Sequence, residues 1–391
     1  MSNLFEDDAP IFDLSEVVGA VDPQSVDGII FRPWHKPRKQ FIRDRQWWYH
    51  LELLLNRFPI YKNISVIKYF GLPGGDLLDV NFLSKKLLTA FADKRLLVHG
   101  FIDNPSDKAQ ADLRLSELLD RNNVDRQSKV DKYNFNALAS LESLATTKVK
   151  EHGAYHLINL DFCDCIFKQA TFDSMINLFN IQFGSMLDLP WLFCLTTRAD
   201  KAGIAHDLLA RFNKIFQEQL TDDVEFISAL EQYRKEIFSL INLKKDITDG
   251  PLVGTDLSEV LQACFIYWII CHAHQNEARM EVVSLMKYKV HGGSAFPDMY
   301  SYVIRFSKKF VGKPDMLGIS KLGLGSSPTI SIDQIKADKI RAVRKLSSSL
   351  DVDAALSADP AVYALYAGEM KTLLTECGWD TSTYDESVAM A

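Results

Sequence analysis

The chain has 391 residues, 47% hydrophobic, 11% aromatic and 24% charged, so it can bury a sizeable core and is not wholesale disordered. The length suits one elaborated domain or two ordinary ones. Its 44 Lys and Arg against 51 Asp and Glu give a net charge of −7. That excludes a uniformly basic nucleic-acid coat, and any such contact must come from a local patch.

Residues 1–30 read as an acidic arm, with Glu6, Asp7, Asp8, Asp13, Glu16, Asp22 and Asp27 and no Lys or Arg before Arg32. No basic start followed by an apolar run opens the chain, so no secretory leader is expected. Residues 31–60 reverse the sign: Arg32, Lys36, Arg38, Lys39, Arg43 and Arg45 stand against Asp44, with Trp34, Phe41, Trp47, Trp48 and Tyr49 among or after them. Pro37 is placed to open a helix running to about residue 56.

From residue 64, short β-branched and aromatic runs alternate with helical stretches, the pattern of an α/β sheet. Strands are predicted at 64–70, 95–102, 129–134, 156–160 and 191–196. The helices between and after them are predicted at 79–92, 107–122, 172–186 and 202–218. Helices at 223–244 and 257–276 form an insertion, and two long strands at 279–289 and 299–308 close the sheet around a Gly-rich hairpin loop at 291–294. The stretch 312–331 reads as a Gly/Ser/Pro linker, and 332–391 as a helical tail with helices at 332–349 and 360–377. The longest apolar run, 260–273, contains Gln262 and is too short to span a bilayer, so no membrane association is expected. That helix is apolar almost all round, which makes it either core or a subunit interface. The six cysteines sit mostly in apolar runs and read as buried thiols of a reducing compartment, giving a cytoplasmic reading.

Five β-α units followed by two adjacent strands describe a Rossmann-like, mostly parallel seven-stranded α/β sheet with a terminal antiparallel hairpin, flanked by N- and C-terminal helical extensions. Ligands of such sheets bind beyond the carboxyl ends of the strands. Those ends carry Gly71-Leu72-Pro73-Gly74-Gly75, Asp103, Asp161-Phe162-Cys163 and Thr197-Arg198-Ala199-Asp200.

This order resembles the class I S-adenosylmethionine-dependent methyltransferases over roughly residues 60–310, which sets a methyltransferase-like domain at 61–311 with its insertion at 223–276. The segments Tyr69-Phe70-Gly71-Leu72-Pro73-Gly74, Leu160-Asp161-Phe162-Cys163 and Met299-Tyr300-Ser301-Tyr302 are also similar to methyltransferase-like proteins of bacterial mobile elements and phage-defence clusters. The resemblance implies S-adenosylmethionine as cofactor, with Gly71, Gly74 and Gly75 letting the backbone approach it and Asp103 receiving the ribose hydroxyls. It places Asp161 and Phe162 against the methyl donor or target, and Asp161 is the residue to orient or deprotonate the acceptor. The chain departs from the family pattern in two places. Lys68 and Tyr69, not an acid, precede the glycines, and the fourth motif lacks both the Pro-Pro-aromatic and the Pro-Cys signatures of nucleic-acid enzymes.

Each feature also has a plainer reading. On that reading the glycine turn is structural, Asp103 is a turn residue before Pro105, and Cys163 and Cys165 are core thiols rather than nucleophiles. His272 and His274, two apart on a helix, face different ways, and no metal is expected. The cations Arg32, Lys36, Arg38, Lys39 and Arg43 are expected to hold nucleic-acid phosphates while the aromatics stack bases. The plainer alternative is a solvated helix packed by Trp47, Trp48 and Leu51. Lys287, Lys289, Arg305, Lys308 and Lys309 would extend the patch only in part, because alternation along a strand splits them between faces. The function expected is that of an S-adenosylmethionine-dependent methyltransferase or close relative acting on nucleic acid, with bacterial defence as the setting the resemblance implies. The alternative is an inactive methyltransferase-like subunit that binds nucleic acid or protein partners in a larger complex.

Overall fold

A computed structural model describes residues 30–185, 189–198, 204–243, 246–248, 255–290, 296–308 and 332–388. The acidic arm before residue 30, the hairpin loop at 291–294 and the linker at 312–331 lie outside these residues, as do Ala199 and Asp200.

The chain enters through α1 (Pro37–Ile42), a π-helical turn (Arg43–Trp48) and α2 (Tyr49–Arg57), which run on as one helix. Pro37 sits at the first helical turn, where its missing N–H costs nothing. Alternating units follow: β1 (Val66–Gly71), α3 (Leu78–Ala90), β2 (Arg95–Phe101), α4 (Pro105–Leu119), β3 (Lys129–Asp131), α5 (Leu144–His152), β4 (Leu157–Cys165), α6 (Gln169–Gly184) and β5 (Trp191–Arg198). Asn104 caps α4, accepting from the Ser106 and Asp107 amides, with Pro105 at the first position. Helices α7 (His206–Lys214), α8 (Leu220–Asp222), α9 (Val224–Tyr233), α10 (Lys235–Asn242) and α11 (Thr255–Gln275) precede β6 (Ala278–Tyr288) and β7 (Met299–Lys308). Last come α12 (Ile332–Ser347), β8 (Leu350–Asp351), α13 (Val352–Ala358), α14 (Pro360–Glu376) and α15 (Tyr384–Val388).

The sheet order is β3-β2-β1-β4-β5-β7-β6-β8. Strands β1 to β5 are parallel, and β7 runs antiparallel between β5 and β6. This is the Rossmann-like sheet with an antiparallel hairpin that the element order predicts, with one addition. The two-residue β8 pairs in parallel with the outer edge of β6, and its shortness left no periodicity to read. The β4 strand also runs past residue 160, with a break in register between Asp161 and Cys165. Such a bulge lets the chain stay paired while re-aiming side chains next to a site.

Hydrophobic side chains cover both sheet faces. On one face α5, α6, α7, α9, α10, α11 and α12 pack over Phe70, Leu160, Phe193 and Ile304. The helix α11 is core: Val260, Leu261, Ile266, Ile269 and Ile270 are essentially fully buried. On the other face α1 to α4 and α13 to α15 pack over Ile67, Leu157, Leu192 and Val303. The C-terminal helices are therefore a layer of the same body, α14 lying against both α1 and α3. Among the described residues no helix is long and apolar enough to cross a membrane.

Candidate functional site

β1 delivers the chain into Leu72-Pro73-Gly74-Gly75-Asp76 before α3 begins. Gly74 has φ +64°, a left-handed conformation that favours glycine, and a Cβ there would meet nothing within 4 Å. Gly75 is held differently: its Cβ would lie 3.2 Å from the Asp107 Cα, so the turn packs directly on the start of α4. Gly71 is buried behind them, where a Cβ would overlap the Tyr69 ring.

Two adjoining clefts open at this end of the sheet, sharing Leu72, Gly74 and Asp107. The smaller, about 400 Å³, is lined by Asp103, Tyr133, Asn134, Phe135 and Phe162 among others. Asp103 is exposed and accepts a hydrogen bond from Asn134 Nδ2 at 2.8 Å. Phe162 meets Phe135 edge to face at 5.4 Å. The larger, about 1040 Å³, takes in Gly75, Asp76, Asp79 and Asp161 from the sheet side and Arg32, Trp34 and Arg43 from the N-terminal segment. Trp379, beyond the end of α14, supplies another wall.

Four charges meet at the inner wall of the larger cleft. Lys39 Nζ donates to Asp161 Oδ1 at 2.6 Å and lies 4.6 Å over the Trp47 ring. Arg43 Nε donates to Asp79 Oδ1 at 2.6 Å. Asn159 on β4 bridges the rest, its Nδ2 3.4 Å from Asp79 Oδ2 and 3.5 Å from the Tyr69 hydroxyl. Burial pushes the Asp79 carboxyl above the usual carboxylate range, against the opposing pull of Arg43. Burial likewise holds the Tyr69 phenol well above its ordinary value, so Tyr69 stands as a neutral hydroxyl beside Asn159. At the cleft rim, His35 is buried, edge-on to Trp379 at 4.5 Å, with Nε2 3.7 Å from Asp76. Its pKa falls below the usual imidazole value through burial, Asp76 pulling the other way.

The structure redistributes the expected basic patch. Lys39 and Arg43 are 3% and 2% exposed and bound to cleft carboxylates, so they are not a phosphate-facing surface. The helix turns them inward because Phe41, Ile42, Trp47 and Trp48 on the same turns pack on the sheet. Arg32 is exposed, while Lys36 donates to the Ser387 carbonyl and Arg38 pairs with Asp353 at 3.3 Å. Lys289 joins that neighbourhood, its amide donating to the same Asp353. Arg305 does not, because it pairs with Leu192 at the opposite end of β5.

Cys165 is buried, and burial raises the thiols of Cys194, Cys264 and Cys377, as expected of core sulfur. The side chain of Cys163 lies outside the described residues. His272 stacks on Trp268, while His274 lies 3.7 Å from Asp338. No group of three metal-ligating side chains converges among the described residues. Asp79 was the residue the sequence reading missed. Its one signal was an acid between Leu78 and Val80, in the first turn of an apolar helix.

A family model described as PP_RS20740-like matches residues 29–389. The chain belongs to that PP_RS20740-like family. No curated protein matches it. Among solved structures, the plantazolicin methyltransferase BpumL in complex with SAH is 10% identical at a TM-score of 0.32, covering 70% of this chain and 85% of that one. The methyltransferase domain of bacterial CtHen1-C is 11% identical at 0.34, covering 68% and 100%. A putative class I S-adenosylmethionine-dependent methyltransferase from Listeria monocytogenes is 9% identical at 0.34, covering 74% and 66%. These likenesses are distant, and the fold of this PP_RS20740-like protein is defined by its own strand order and directions.

Proposed function

We propose that the chain is an S-adenosylmethionine-dependent methyltransferase acting on nucleic acid. The observation that carries the cofactor reading is the placing of Asp103. It is an exposed carboxylate at the tip of β2, fixed by Asn134, on a cleft of about 400 Å³ with Tyr133, Phe135 and Phe162 around it. One acid beside apolar and aromatic walls suits a nucleoside, the acid taking the vicinal hydroxyls and the walls the base. Gly74 joins this cleft to the larger one and leaves open space over its α-carbon, which suits a ligand crossing from one to the other. S-adenosylmethionine bound there would supply a methyl group on a positively charged sulfur.

The chain's own part is positioning. Asp161 faces the larger cleft with Oδ1 held by Lys39 and its side chain 14% exposed, which leaves Oδ2 to orient an acceptor or take its proton. Arg32 and Trp34, both exposed on the lining of the larger cleft, support an anionic, stackable acceptor. The resemblance to phage-defence methyltransferase-like proteins favours a setting in bacterial defence. Calorimetry with S-adenosylmethionine and its demethylated product tests the cofactor. Heat with either, abolished by Asp103→Ala, supports it, and no heat at millimolar ligand overturns it. Transfer of labelled methyl to oligonucleotides tests the acceptor.

The Lys39–Asp161 pair favours a second reading, in which the cleft binds without transfer and the protein serves as a binding subunit with nucleic-acid or protein partners. Cofactor binding with no methyl transfer to DNA, RNA or protein would select it.

A further inference from the structure

At the amino ends of the parallel strands, away from this site, two adjoining grooves of about 330 and 340 Å³ share Arg57, Glu281, Arg305 and Arg341. They lie between the end of α2, the β6–β7 pair and α12. Lys39 and Arg57 are eighteen residues apart on the continuous α1–α2 helix, about 27 Å at 1.5 Å per residue, so the groove is remote from the cleft. Arg279, Arg344 and Lys345 are its other cations, and among the described residues that line it only Glu281 and Asp338 oppose the six. That is a strongly positive surface in a chain of net charge −7.

The cations divide into two sets. Arg279 and Arg341 are bound by the buried Asp338, and Arg305 by Glu281. These pairs fix the guanidiniums. Arg341 Nε is nevertheless buried without a hydrogen-bond partner. Arg57, Arg344 and Lys345 have no acidic partner among the described residues, and Arg57 and Arg344 are exposed. Both Arg57 and Arg305 lie over the Phe58 ring, at 5.8 and 5.4 Å. The accumulated charge is felt locally: His50, on the groove wall, is held down to about 4 by burial and then by Lys345 and Arg305.

We infer that this groove binds the phosphates of a single nucleic-acid strand. Five of the six cations are arginines, whose planar forks match phosphate oxygens two at a time. Arg341, Arg344 and Lys345 fall at i, i+3 and i+4 on one face of α12, while Arg57, Arg279 and Arg305 face them from α2 and the strands. The result is a two-sided array of cations spread over two adjoining grooves. The grooves are open troughs, which suits a continuous backbone. The inference stands apart from the methyltransferase reading, since binding here needs neither cofactor nor Asp161.

The test is fluorescence anisotropy of the full chain with a labelled single-stranded oligonucleotide across a salt series, without cofactor. The comparison variant is Arg57→Ser/Arg344→Ser/Lys345→Ser, two exposed positions and one half-buried one, none in an ion pair among the described residues, so the variant is expected to stay folded, which its melting curve checks. Wild type is expected to bind with log affinity falling linearly in log salt. Three lost phosphate contacts should flatten that slope by about 2, at roughly 0.7 per phosphate for single strands, and weaken affinity at least tenfold at 50 mM salt. An unchanged affinity and slope in the folded variant would overturn the inference. So would equally tight binding of a poly-glutamate of matched length, which would make the groove an acidic-peptide site.

Discussion

Lys39 reaches from the first helix to Asp161 on β4, beside the break in that strand's register, its ammonium 2.6 Å from Oδ1 with 4% of the lysine side chain exposed. The acid proposed to orient the acceptor is thus already partnered by the chain's own N-terminal segment. Together with Arg43 and Asp79 it makes a buried set of two cations and two anions, charges that are tolerated there only as pairs.

Removing one member should therefore cost more than removing both. Lys39→Met keeps the stem over Trp47 but leaves the Asp161 carboxylate without its partner, facing the Asp79–Arg43 pair. A loss of about 2–4 kcal/mol is expected, somewhat less than for a fully buried pair because Asp161 keeps some solvent. Lys39→Met/Asp161→Asn should recover most of it. Urea denaturation of the two single variants and the double variant gives the coupling energy. Simple additivity would show that the pair carries no mutual stabilisation.

Arg43 and Asp79 are more deeply enclosed, 2% and 5% exposed along their side chains. Arg43→Met is expected to cost about 3–5 kcal/mol, the range for an orphaned buried charge. Arg43→Met/Asp79→Leu should be close to wild type in stability. Equal melting temperatures for Arg43→Met and wild type would contradict the burial of this pair.

Much of the architecture was legible because it follows from periodicity. The β7 strand is found at the residues predicted, and β2, α11 and β6 begin and end within two residues of expectation. The edge carrying Gly74 and Asp103 was legible for the same reason, since a parallel sheet sends its strand ends to one side, but Asp161 falls inside β4, which continues to Cys165 past a break in register. The fate of the basic segment was not legible. Lys39 and Arg43 lie four apart, on one face of the helix, and that face turns inward only because acids 36 and 122 residues away in sequence wait for them. Charge density along a sequence does not distinguish a solvated patch from buried pairs, and long-range partners have no local signature. The wall formed by Trp379 was hidden for the same reason.

His156 provides a pH test. It is 4% exposed, lies edge-on to Tyr61 at 5.6 Å, and accepts the Lys68 amide hydrogen on Nδ1 at 2.9 Å. Burial first, and Lys68 second, hold its pKa down to about 4. The unfolded chain takes up this proton near pH 6.5, so between about 6.5 and 4 the unfolded state binds more protons than the folded one. Stability is then complete above 6.5 and falls with acidification through that window, at up to about 1.4 kcal/mol per pH unit and about 3 kcal/mol in all. His156→Asn retains an acceptor and removes the titration. Denaturation at pH 5 and pH 7.5 should show a smaller difference for the variant than for wild type, and identical differences would refute the assignment.

Asp103 and Gly74 separate ligand binding from folding. Asp103 is exposed, so Asp103→Ala should change stability by no more than about 0.5 kcal/mol. If its carboxylate takes the ribose hydroxyls of S-adenosylmethionine, losing those charge-assisted bonds removes about 1.5–3 kcal/mol, a weakening of roughly 10- to 150-fold. Gly74→Ala acts differently. No neighbour obstructs the new methyl, so the folding cost is only that of a left-handed alanine, about 1–2 kcal/mol. The methyl itself would occupy the space between the two clefts, and affinity should fall by at least as much as in Asp103→Ala. Calorimetric titration of both variants beside their urea midpoints makes the comparison. Undiminished affinity in both would move the ligand away from the β1 turn altogether.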